Sequence, residues 1–82
     1  MTPSEPGPQL LFSGPTALFR AVALLEAAGY ACAVVPAPAE AASPCGLALA
    51  VRAEDLGAIR TLLTALRAAP RALWTPSAHA RT

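Results

Sequence analysis

YACAVVPAPAEAASPCGLALAVR, residues 30–52, decides the fold. Its two ends, Tyr30–Val35 and Gly46–Arg52, are short apolar runs rich in strand-forming residues. In the second run Leu47, Leu49 and Val51 alternate with Ala48 and Ala50, the period of a strand with two distinct faces. Between them lies a loop stiffened by Pro36, Pro38 and Pro44. Two strands therefore follow one another directly, and the rest of the chain is arranged around that pair.

Toward the N-terminus, Gln9–Ser13 reads as a short strand that Gly14-Pro15 breaks. Pro15 suits the first turn of a helix, where a missing N–H costs nothing. Leu18, Ala21, Val22, Leu25 and Ala28 then recur at helical spacing, and Gly29 fits the left-handed position just past a helix end. Toward the C-terminus, Glu54 and Asp55 suit a first helical turn. Leu56, Ile59, Leu63 and Leu66 make the expected buried stripe, Arg67 sits near the helix end and Pro70 stops it. Arg71–Thr75 reads as a fourth strand closed by Pro76. The order β-α-β-β-α-β predicts an α+β, ferredoxin-like domain: a four-stranded antiparallel sheet, strand order 4-1-3-2, with two helices on one face.

The 82 residues allow one domain, expected over residues 9–75, with residues 1–8 and 76–82 as flexible tails. A net charge of +1 gives no electrostatic case for nucleic acid. Mean hydropathy is positive, yet no run reaches the length of a membrane span, and no signal peptide is expected. Two cysteines without a signal favour a reducing, cytoplasmic setting. The sole histidine, His79, falls in the expected C-terminal tail and no paired-cysteine motif occurs, so neither metal nor cofactor is expected.

Chemistry concentrates at Cys45. The topology sets the start of strand three beside the end of strand one, where helix one begins. Cys45 is therefore expected near Gly14, Thr16 and the free amides of that helix N-terminus, which favour an anion such as a thiolate. Gly46 allows close approach of backbone or substrate, Arg71 starts strand four at the same sheet end, and Glu40 is a loop acid and a candidate neighbour of the thiol. Two readings of Cys45 stand side by side. Its parity with Leu47, Leu49 and Val51 points it into the core as a small hydrophobe; its place after a polar loop presents it as a reactive thiol. Cys32, mid-strand between alanines, reads as core packing. A Cys32–Cys45 disulfide is disfavoured, since Cys45 should face the end of strand two near Val35, about 10 Å along the strand from Cys32.

The chain also resembles a known family of small selenium/sulfur carrier-like domains. The resemblance runs from Leu10 to Thr75. It rests on Phe12-Ser13, on Ala23–Gly29, on Val35-Pro36-x-Pro38 and above all on Ser43-x-Cys45-Gly46-Leu47-Ala48-Leu49. Two positions depart from the pattern: Ala39 stands where a basic residue is common, and Pro44 replaces a small or acidic residue. What the resemblance implies is carriage rather than enzymatic turnover. A thiolate on Cys45 accepts sulfane sulfur or selenium from a cysteine desulfurase or other sulfurtransferase, and hands it to an acceptor protein. A competing reading is a non-catalytic regulatory or interaction module, in which Ala31, Ala33, Ala48 and Ala50 form an apolar helix-free sheet face that pairs with a second copy or a partner. Alanine enrichment by itself also accounts for that face. A thiol redox sensor is a third reading, weakened by the lack of a resolving cysteine at a suitable distance.

Overall fold

A computed structural model describes residues 7–41 and 43–75. The expected tails beyond these limits, with His79, lie outside the described residues, as does the side chain of Glu40. The chain runs β1 (Gln9–Leu11), α1 (Pro15–Ala28), β2 (Cys32–Pro36), β3 (Leu47–Val51), α2 (Leu56–Ala65) and β4 (Ala72–Trp74). Short 3-10 turns at Ala39–Ala41 and Ala53–Asp55 precede β3 and α2. The sheet order is β2-β3-β1-β4 with every neighbouring pair antiparallel, which read from the other edge is the expected 4-1-3-2. This is an α+β, ferredoxin-like arrangement.

β1 is shorter than expected, ending at Leu11 rather than Ser13. The chain must turn into α1 within the next few residues, and Leu18 N–H already donates to Gly14 O at 3.1 Å. The helix ends are two versions of one device. At the end of α1, Gly29 takes φ 89°, its N–H reaches Glu26 O at 3.1 Å, and Tyr30 N–H reaches Leu25 O at 3.0 Å. At the end of α2, Arg67 takes φ 58°, its N–H reaches Thr64 O at 3.1 Å, and Ala68 N–H reaches Leu63 O at 2.8 Å. Pro70, expected to stop this helix, lies beyond its actual end. The left-handed turn at Arg67 closes it first, at a cost of about 1–2 kcal/mol for a residue with a Cβ. Leu66, expected in the buried stripe, is consequently 41% exposed, whereas Ile59 and Leu63 are fully buried.

The core lies between the helices and one sheet face. Leu10, Phe12, Leu49 and Val51 meet Leu18, Ala21 and Leu25 of α1 and Ile59 and Leu63 of α2. Each large side chain buried there contributes about 1.5–3 kcal/mol. The register sets Leu10 opposite Leu49, Ala33 opposite Ala50 and Val35 opposite Ala48. With Leu10 and Leu49 on the helix side, Ala33, Ala48 and Ala50 occupy the other face, as expected; Ala31 precedes β2. Leu11, Val35, Trp74 and Gln9 share that face by alternation.

Candidate functional site: a thiol in a proline turn

Between β2 and β3 the chain winds through Pro38, whose carbonyl accepts Ala41 N–H at 3.0 Å, and then makes a four-residue turn from Ser43 to Gly46. Gly46 N–H donates to Ser43 O at 3.1 Å across that turn. Pro44 stands at its second position, where a φ fixed near −65° matches the turn in advance. Gly46 adopts φ 73°, a conformation that only glycine enters without strain, and the space where a Cβ would sit is open. Ala37 N–H donates to Gly46 O at 3.0 Å and ties the loop's two arms together. Cys45 is thus held between a proline of fixed φ and a glycine tied by two backbone hydrogen bonds.

The Cys45 thiol is half-buried and free. Its sulfur lies 3.5 Å from Leu47 O and 3.6 Å from Ser43 Oγ, and Ser43 Oγ donates to Leu47 O at 2.8 Å. The Leu47 carbonyl is available for a local reason. Val51 N–H donates to Pro8 O at 3.2 Å, so alternate residues of β3 turn their polar backbone groups toward β1. Continued, the register would set Phe12 opposite Leu47, but β1 stops at Leu11.

Of the two sequence readings, parity placed Cys45 toward the core; the core cluster does not include it. Alternation holds only along extended backbone, and the positive φ of Gly46 interrupts it one residue before Cys45 is reached. Cys32 behaves as expected: it packs against the core and its proton is held on. Burial pushes the Cys32 thiol above its ordinary value of 9.0, and the Glu26 carboxylate adds to the effect. Cys45 lies past the Pro36–Leu47 pair rather than near Val35, farther from Cys32 than expected, and both thiols are free.

Gly14 and Thr16 line a cleft of about 410 Å³ at the α1 N-terminus, together with Arg20 and Arg67. Cys45, Gly46 and Arg71 are not among its walls. Arg71 is exposed, and its backbone N–H donates to Leu11 O at 2.8 Å, which seats it at the end of β1. The antiparallel register gives that end of β1 and the start of β3 the same sheet end. Arg20 reaches from α1 to Leu66 O at 3.3 Å, supporting the last carbonyls of α2. Sequence reasoning gave no role at the site to two of these residues. Ser43 carried a usable signal, a hydroxyl two residues before the cysteine and across a proline. Arg20 carried none, because its partner lies 46 residues away. Among the described residues, no group of three or more His, Cys, Asp or Glu side chains is placed to hold a metal, and no helix is long and apolar enough to cross a membrane.

Residues 9–75, from β1 through the residue after β4, match the family model described as "Putative Se/S carrier protein-like". The chain belongs to the Se/S carrier protein-like family. The match takes in both halves of the fold and the whole loop that carries Cys45, so in this family member the thiol turn is part of the domain and no appendage to it. No curated protein and no solved structure matches the chain.

Proposed function

We propose that this protein carries sulfur or selenium, holding a persulfide or selenosulfide on Cys45 and passing it to an acceptor, without being an enzyme in the turnover sense. The observation that supports this most is a half-exposed, unpaired thiol held in a stiff turn, in a chain of the Se/S carrier protein-like family. The chemistry needs no external oxidant. The Cys45 thiolate attacks the terminal sulfur of a donor persulfide; a new S–S bond forms at Cys45, the donor's S–S bond breaks, and its electron pair leaves on the donor thiolate. An acceptor nucleophile reverses the step, taking the terminal sulfur and returning the Cys45 thiolate. Selenium follows the same course through a selenosulfide.

The donor in this reading is a cysteine desulfurase or another sulfurtransferase, the acceptor is a second protein, and the setting is cytoplasmic, where the thiol stays reduced. Gly46, the residue after the thiol, has open space where a side chain would sit. Gly14 and Thr16, at a helix end with free amides, and Arg71, at the same end of the sheet, supply positive potential for the anionic donor. The test is incubation with a desulfurase and cysteine, followed by intact mass. A one-sulfur adduct on wild type and on Cys32→Ser, absent from Cys45→Ser, supports carriage; no adduct on wild type with any donor sinks it.

A second reading, an interaction module that pairs with a second copy of the chain, is favoured by the sheet register. That register gathers Ala33, Val35, Ala50 and Trp74 on a face that neither helix covers. Monomeric elution unchanged up to millimolar concentration would remove it.

A further inference from the structure

Ser43, Cys45 and Leu47 form a small triangle with an excess of acceptors. Ser43 Oγ lies 2.8 Å from Leu47 O, Cys45 Sγ lies 3.5 Å from the same oxygen, and the two side-chain atoms are 3.6 Å apart. A hydroxyl has one proton to give and two lone pairs. With the thiol protonated, every group is served: Ser43 donates to Leu47 O, and the S–H donates to that oxygen or to Ser43 Oγ. Ionisation takes the thiol's proton away. Sulfur and carbonyl oxygen then face each other as two acceptors, and the Ser43 proton is the one left in the triangle.

We propose that Ser43 is a positioning residue for Cys45, its hydroxyl turning from the Leu47 carbonyl to the sulfur when the thiol ionises. The turn needs rotation about a single C–O bond and no movement of the backbone, which Pro44 and Gly46 already fix. A charged acceptor draws a stronger hydrogen bond than a neutral carbonyl. The handover also fixes where the lone pairs of the nucleophile point, since the side of the sulfur bonded to Ser43 is closed to attack. Its use in sulfur transfer rests on the carrier reading above; the handover itself does not.

The test is the rate of Cys45 alkylation by iodoacetamide against pH in wild type, Ser43→Ala and Ser43→Thr, followed by peptide mass. Without the hydroxyl, the rate at pH 7 falls about 5-fold, while at pH 11 the rates converge. Ser43→Thr restores the wild-type profile, and Ser43→Gly, a second hydroxyl-free variant, behaves as Ser43→Ala. Superimposable profiles for wild type and Ser43→Ala overturn the proposal. An equal loss at pH 7 and pH 11 also overturns it, because that pattern reports a change of access rather than of donation. Because the reagent is a small alkylator, a negative result here leaves the persulfide experiment standing, and a missing persulfide leaves this one standing.

Discussion

Cys32 and Cys45 sit at opposite ends of the β2–β3 hairpin. Cys32 opens β2 opposite Val51, with its side chain against the core; Cys45 lies beyond the last pair of that ladder, in a turn. Both are half-buried, and both are free. What differs is the company each sulfur keeps. Cys32 has apolar neighbours and the Glu26 carboxylate, both of which favour the protonated form. Cys45 has a hydroxyl and a carbonyl oxygen, on a backbone that Pro44 and Gly46 hold in place. One domain thus contains a thiol kept as a hydrophobe and a thiol kept as a polar, addressable group, and the separation comes from a single interruption of strand geometry.

That contrast is most easily broken by alkylation of the native protein. At pH 7.5 Cys45 should react about 10-fold or more faster than Cys32, and the ratio should collapse toward about 1 in denaturant. Comparable native rates, read by peptide mapping, would end the comparison. Gly46→Ala should cost about 1 kcal/mol in urea unfolding, since a Cβ at φ 73° is strained although the space is open. An unchanged midpoint would mean that the turn does not need its glycine.

Truncating the two cysteines sharpens the same point. Cys32→Ala should lower stability by about 1 kcal/mol through lost packing, whereas Cys45→Ala should stay within about 0.5 kcal/mol of wild type. The reverse order would make Cys45, in its turn, the packing thiol instead of Cys32. The smallest effect is in the alkaline limb. The Cys32 proton is held more firmly in the fold than in the unfolded chain, so its contribution is complete below about pH 9, the ordinary value. It is lost as pH rises through the higher folded value. The stability gap between wild type and Cys32→Ala should therefore narrow above pH 9; a gap that widens there contradicts the assigned direction.

The fold was largely legible because its boundaries rest on residues with hard backbone preferences. Pro15 opens α1, Gly29 closes it, and the leucine–alanine alternation of residues 47–51 marks a two-faced strand. The end of α2 was not legible, because it closes through Arg67 in a left-handed conformation that no arginine advertises. At the site, Cys45 and Gly46 stood out by residue type, but the orientation of the thiol did not. Parity counting assumes extended backbone, and Gly46 breaks that assumption. The cleft that joins Gly14 and Thr16 to Arg20 and Arg67 depends on contacts between distant segments, which spacing along the chain does not encode.

The central claim is that Cys45, and not Cys32, is the sulfur-bearing thiol. Peptide mapping of wild-type protein after desulfurase loading and trapping of persulfides with an alkylating reagent tests it most directly. The extra sulfur should appear on the peptide that contains Cys45, with Cys32 trapped as a plain thiol. Sulfur on Cys32, or on neither cysteine, would contradict the account.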